Sequence, residues 1–327
     1  MCGIAGLFLK SAALQPELGR LTALMLHEMR DRGPDSAGFA IYDAPEAAKS
    51  AARLKLTCLA PSGAADWARI ADALAQAIGA PVEMRILEDH AILSAPLSFA
   101  ESGGAKNANF DGAAMRRRLI ELAPEITVLS AGAAIELFKG VGDPDKVAER
   151  FGLAKRAGGH ALAHTRMATE SAVVTAGSHP FSTGADACLV HNGSLSNHNR
   201  LRRWLERRGE TFQTENDSEV AAGYLSWRLR EGDTLEAALE RAIEDLDGFY
   251  TFAIGSADGF AVLRDPIACK PAVIAETDDW VAMASEFRAI AKLPGVEHAA
   301  IWEPRPGRIY SWSHSEAATG VARSASA

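Results

Sequence analysis

Cys2 stands directly after Met1 and is followed by Gly3-Ile4-Ala5-Gly6, small and apolar residues that suit a buried strand. Removal of Met1 would leave a thiol and a free α-amine on one residue. An α-amine titrates near ~7.7–8.0 and accepts a proton at neutral pH, whereas a cysteine thiol, near about 8.5, is mostly protonated. Nucleophile and base would then share a residue, with no histidine required. Gly3 and Gly6 carry no Cβ and let the backbone run close to a reacting centre. Read alone, the run favours the plainer assignment of Cys2 as a small buried hydrophobe, the usual place of a free cysteine.

Four further blocks change that balance. They are Arg32-Gly33-Pro34-Asp35-Ser36-Ala37-Gly38, His164-Thr165-Arg166-Met167-Ala168-Thr169, His191-Asn192-Gly193-Ser194-Leu195-Ser196-Asn197 and Asn216-Asp217-Ser218-Glu219. With the N-terminal run, and in this order, they resemble the signature blocks of the class II glutamine amidotransferases, which are N-terminal-nucleophile hydrolases. His179-Pro180-Phe181, Arg264-Asp265-Pro266, Lys270-Pro271 and Ser285-Glu286 match further blocks. The sequence departs from the pattern at Met167, where family members often carry an aromatic residue, and at Ala268-Cys269, where glycine and arginine are usual.

The resemblance implies a role for each block. Cys2 is the nucleophile, and the Asn192 side-chain amide and Gly193 backbone N–H receive the oxyanion formed when a thiolate attacks a carboxamide. Arg166 holds the substrate carboxylate, for which a planar guanidinium is suited by its two parallel donors. Asp217 receives the α-ammonium, Arg32 helps order the pocket, and Thr169 and His179 complete the substrate-binding set. Each has a plainer alternative. Arg166 could be a structural ion pair, Asn192-Gly193 a hairpin turn, and Asp217-Ser218-Glu219 only a helix start. His164, His179 and His191 invite a metal triad, but each sits in a family block whose chemistry needs no metal, so they are expected to shape the pocket.

Hydrophobic spacing supplies the elements that must carry these residues. Helices are predicted over 16–30, 65–78, 111–122, 144–151, 199–208, 220–230 and 235–246, with Asp143 as an N-cap. On the helix over 199–208, Leu201, Trp204 and Leu205 are expected to face inward and Arg200, Arg202, Arg203, Arg207 and Arg208 outward, as a solvated face. Strands are predicted after Cys2 and over 36–42, 126–129, 158–164, 188–190, 248–254, 260–263 and 280–285. Residues 98–109 read as a loop. The stretch 43–156 is alanine-rich and departs from the family pattern, so it reads as an insertion or subdomain without chemistry of its own. Its glycines lack the spacing of a phosphate-binding loop.

The chain has 327 residues, 48% hydrophobic and 23% charged, with a net charge of −8. That composition belongs to a globular protein, and its interleaved charges favour neither nucleic acid nor a membrane surface. Cys2, Cys58, Cys188 and Cys269 lie far apart. Free thiols, no zinc or iron–sulfur site in this chain and a cytoplasmic location are expected, since neither a secretory leader nor a run of ~18 apolar residues is seen.

The resemblance covers residues 2–42 and 158–312 and implies an α+β fold, the four-layer αββα sandwich of N-terminal-nucleophile hydrolases. It places the amidotransferase domain over 2–312, with 43–156 inserted and a serine- and alanine-rich tail, 313–327, expected to be disordered. It implies hydrolysis of glutamine to glutamate and ammonia. At finer grain, 191–205 and 245–280 resemble the stand-alone amidotransferase-like subunits of glutamate-synthase-like complexes, that of N-methylglutamate synthase among them. The implied partners are a subunit carrying FMN and an iron–sulfur cluster and another with a glycine-repeat β-helix. Two alternatives stay open: an enzyme of the same fold acting on another amide, or on glutamate and an external amine such as methylamine, and a non-catalytic assembly subunit with the same fold.

Overall fold

The computed structural model describes residues 2–46, 50, 53–97, 111–168 and 173–315. The chain opens on β1 (Gly3–Leu9), buried at every position, and passes through a 3-10 segment into α1 (Leu18–Glu28) and β2 (Ser36–Tyr42). An excursion follows, built of β3 (Arg53–Leu59), α2 (Trp67–Ile78), β4 (Glu83–Leu87), β5 (His90–Pro96), α3 (Gly112–Leu122) and β6 (Thr127–Gly132). The chain continues through β7 (Ile135–Val141), α4 (Pro144–Arg150), β8 (His160–Arg166) and β9 (Cys188–Leu195). Three helices come next, α5 (His198–Glu206), α6 (Asp217–Arg230) and α7 (Leu235–Asp245). It closes with β10 (Gly248–Gly255), β11 (Gly259–Arg264), β12 (Val273–Glu276), β13 (Trp280–Ala284), β14 (Ala300–Trp302) and β15 (Ile309–Ser313).

Two antiparallel sheets face each other, one in the order β14-β12-β13-β1-β8-β2-β7 and the other β15-β11-β10-β9. Alternation along each strand divides its side chains between two cores. Ile4 and Phe8 of β1 point to the inter-sheet layer and meet Val190, Ala253, Phe260 and Val262. Ala5, Leu7 and Leu9 point the other way, to Leu21 and Met25 of α1 and Phe151 beside α4. On the far side, Tyr250, Phe252 and Leu263 pack under Leu205, Tyr224 and Leu239 of α5, α6 and α7. This is the expected αββα order, and it sets Cys2 at the start of a central strand. Gly6 serves the sheet packing rather than a reacting centre: a Cβ there would fall 2.4 Å from the Phe260 ring.

The excursion folds as a third sheet, β4-β5-β3-β6. Leu54, Leu56 and Cys58 of β3 meet Trp67, Ile70 and Leu74 of α2 and Met115 and Leu119 of α3. Each large side chain so buried stabilises by about 1.5–3 kcal/mol over its exposed state, which gives this unit a core of its own. Caps occur where the sequence offers them: Asp66, Asp111 and Asp143 each accept from N–H groups of the following turn. The stretch 43–156 is not all excursion, because β7 pairs with β2 in the seven-stranded sheet and α4 packs on that sheet.

Strands β3, β4, β5 and β7 were not read from the sequence, although Leu54, Leu56 and Cys58 alternate with Arg53, Lys55 and Thr57. Arg202 also differs from expectation, being buried with its guanidinium 4.8 Å from the Phe212 ring. Packing continues past 312. His314 stacks on Phe8 at 4.3 Å, and Ser315 Oγ donates to Asp258 Oδ2 at 2.7 Å. The loop read over 98–109 and the tail from 316 onward lie outside the described residues, apart from which no helix is long and apolar enough to cross a membrane.

Candidate active site

Cys2 leads into β1, and its main chain is held from two distant parts of the sequence. Arg32 Nε donates to the Cys2 carbonyl at 3.1 Å and Asn192 Nδ2 donates to the same oxygen at 3.3 Å. Arg32 also donates to Glu286, and that bond holds the Glu286 carboxyl below the usual carboxylate range. Next door, Ser285 and Ile4 exchange two bonds: Ile4 N–H to Ser285 Oγ at 3.0 Å and Ser285 N–H to the Ile4 carbonyl at 2.9 Å. The β13 end thus clamps the first residues of β1.

Asn192 and Gly193 lie within β9, paired to Thr251 and Tyr250 of β10. The hairpin-turn alternative is therefore overturned, because the strand runs on to Leu195 and its apolar neighbours Leu189 and Val190 hold both faces. Asn192 is buried while Gly193 and Ser194 are exposed. Gly193 has φ of +151°, and a Cβ there would sit 2.0 Å from the Phe249 carbonyl oxygen, so the position admits only glycine.

Asp217 opens α6, whose N-cap is Asn216. Its Oδ2 accepts the Leu195 N–H at 2.9 Å, which ties the helix start to the end of β9. Beside it, Ser218 Oγ lies 2.8 Å from both His179 Nε2 and His191 Nδ1. His164 stacks on His179 at 4.0 Å and donates from Nε2 to the His191 carbonyl at 3.0 Å. Burial pushes all three imidazoles below their ordinary pKa, His164 to about 3, which keeps them neutral at pH 7. Among the described residues no group of three or more His, Cys, Asp or Glu could hold a metal ion.

Arg166 ends β8 and is buried. Gly3 pairs with Thr165, so the same antiparallel register carried one step further sets Arg166 opposite Cys2. The Arg166 carbonyl accepts from Asp35 N–H at 3.1 Å, and Asp35 Oδ2 accepts from Ala168 N–H at 2.8 Å. Thr169 lies outside the described residues. Of the other thiols, Cys58 and Cys188 are buried and pushed up to about 12, which leaves them inert at neutral pH. Cavities of about 350 and 300 Å3 open elsewhere, at Glu136 and Arg156 and at Arg116 and Glu210, and none of the sequence-predicted site residues lines either.

Residues 164–292 match the glutamine amidotransferase domain family. The chain is 48% identical to the glutamine amidotransferase-like protein GlxB of Rhizobium meliloti (strain 1021), over 97% of this chain and all of that protein. The chain belongs to the class II glutamine amidotransferase family. It is also 31% identical, over 95% of its length and 99% of the relative's, to a putative glutamine amidotransferase of Methanothermobacter thermautotrophicus. The glutamine phosphoribosylpyrophosphate amidotransferase of B. subtilis shares the fold with a TM-score of 0.57 at 21% identity, the match covering 96% of this chain and 48% of that one.

Within this amidotransferase, some residues that build the site gave no readable sign in the sequence. Lys139 is buried behind the His179 segment. Asp186 accepts from three backbone N–H groups, those of Ala133, Ala134 and Ile135. Such roles depend on backbone partners far away in sequence, and no local spacing announces them. Asp35, Ser218 and Ser285 were within reach, since each sits in a signature block; Ser218 joins two imidazoles.

Proposed function

We propose that this enzyme is a glutaminase subunit with Cys2 as its N-terminal nucleophile. The observation that carries the reading is the convergence of Arg32 and Asn192 on the Cys2 carbonyl, which brings the first, second and fourth signature blocks to one point. After Met1 is removed, the Cys2 α-amine takes the thiol proton and the thiolate attacks the side-chain carbonyl carbon of glutamine. The oxyanion is received by Asn192 Nδ2 and the Gly193 N–H. On collapse the C–N bond breaks, the α-ammonium returns the proton to the leaving nitrogen, and ammonia departs from a thioester. Water, deprotonated by the same amine, opens the thioester to glutamate. Arg166 takes the substrate carboxylate and Asp217 its α-ammonium, and by the family resemblance Thr169 and His179 belong to the substrate-binding set. The pair of opposite charges selects an amino-acid backbone and leaves the side chain for Cys2.

We place the consumer of the ammonia on other polypeptides. The candidate is a glutamate-synthase-like complex such as N-methylglutamate synthase, with FMN and an iron–sulfur cluster on one partner and a glycine-repeat β-helix on another. Glutamate release from glutamine by the parent, Cys2→Ala and Asp217→Asn proteins tests the assigned roles. Loss of release in Cys2→Ala supports them, and release at the parental rate contradicts them. Purification of the tagged protein from its own host, with flavin absorbance in the complex, tests the partner.

A further inference from the structure

Lys139 is a buried cation outside the signature blocks. It lies on β7 opposite Gly38 of β2, beneath the segment 176–181 that carries His179. Its Nζ donates to the carbonyls of Ala176 at 2.9 Å, Ser178 at 2.8 Å and Pro180 at 3.3 Å, and lies 4.4 Å from the centre of the Phe181 ring. An ammonium has three donors, and here all three are used, with an aromatic face against the charge. At Gly38 an added Cβ would fall 2.2 Å from the His179 carbonyl oxygen, so the segment rests directly on the β2–β7 pair. From that seat His179 Nε2 reaches Ser218 Oγ at 2.8 Å, one residue from Asp217, and the same hydroxyl reaches His191 next to Asn192.

A buried charge is a costly way to fill space, and a side chain of similar volume without charge would pack here more cheaply. Burial pulls the Lys139 pKa down to about 7, Arg116 of α3 and Arg166 of β8 act in the same direction, and Glu219 of α6 opposes them. The compensation is local. Three carbonyls spaced two residues apart are pinned to one point, and a peptide segment that pairs with β9 at its Phe181 end, through Leu189, acquires a fixed path before that bridge.

We propose that Lys139 is a positioning residue for glutamine: its ammonium fixes the 176–181 segment and so sets His179 against Ser218 at the head of α6, where Asp217 meets the substrate. The proposal rests on the glutaminase reading above, and the experiment separates the two. Glutaminase kinetics are compared for the parent and Lys139→Met, with circular dichroism to confirm folding. Positioning of the ground-state site predicts a KM for glutamine raised about tenfold or more with kcat changed by less than about threefold, the pattern of lost substrate binding. A folded Lys139→Met with the parental KM overturns the proposal, as does a loss confined to kcat. Should Lys139→Met fail to fold, Lys139→Gln, which keeps two N–H donors for the three carbonyls, is judged by the same two outcomes. A parent protein that neither hydrolyses glutamine nor accepts a glutamine-like alkylating agent on Cys2 would instead count against the glutaminase reading.

Discussion

Asp217 has two oxygens, and only one of them accepts a backbone N–H. Oδ2 is occupied by the Leu195 N–H, while Oδ1, which accepts from Ser218 Oγ at 3.3 Å, is the oxygen we propose for the substrate ammonium. Asp217→Asn keeps the shape and removes the charge. Loss of a charged hydrogen bond, about 1.5–3 kcal/mol, predicts a KM for glutamine raised roughly ten- to hundredfold in steady-state assays. Asn192→Ala removes an oxyanion donor and is expected to lower kcat by about 10²–10³ with a smaller change in KM. At this scale the sequence offered candidates where the family resemblance names a residue type: a thiol next to an amine, a guanidinium for a carboxylate, an amide for an oxyanion. It was silent on Lys139, whose acceptors are main-chain carbonyls 37 to 41 positions away, because a carbonyl has no residue type.

Elements decide how those groups meet. Helices carried clear signals, and Asp143 caps α4 where the sequence placed a cap. In the 43–156 stretch the strand at β6 was legible, whereas β3, β4, β5 and β7 are short runs among helical patterns, and Asn192-Gly193 has the composition of a turn yet continues β9 because β10 pairs with it throughout. The bend between β6 and β7 depends on Asp186, which accepts N–H groups of residues 133–135 from a half-buried position. Asp186→Ala strands those donors and is expected to cost about 2 kcal/mol, read as a lowered midpoint in urea unfolding with unchanged slope. In the same way Gly38→Ala drives a Cβ toward the His179 carbonyl, and glutamine binding should weaken before overall stability does, as measured by KM against the thermal midpoint.

The described residues hold four apolar cores, two of them on the faces of the seven-stranded sheet, and the subdomain is joined to the rest by buried polar contacts. Arg116 of α3 donates to the Ser182 carbonyl at 2.9 Å and to Gln213 Oε1 at 3.2 Å. Deep burial of neutral histidines makes the assembly sensitive to acid. His160 and His164 are both pushed down to about 3 by burial, against an ordinary value near ~6.5. Between those values the unfolded chain binds more protons than the folded one, so their contribution is fully present above about 6.5 and is lost as pH falls toward 3. The thermal midpoint should therefore decline steadily below about pH 6.5, and more steeply in the parent than in His160→Gln.

The central claim, a nucleophile and its base on Cys2, is tested most directly by intact mass before and after treatment with diazo-oxo-norleucine. The account predicts a protein lacking Met1 that gains one adduct, mapped to Cys2 and absent from Cys2→Ala. A protein that retains Met1 and gains no adduct would contradict it and favour the non-catalytic assembly subunit.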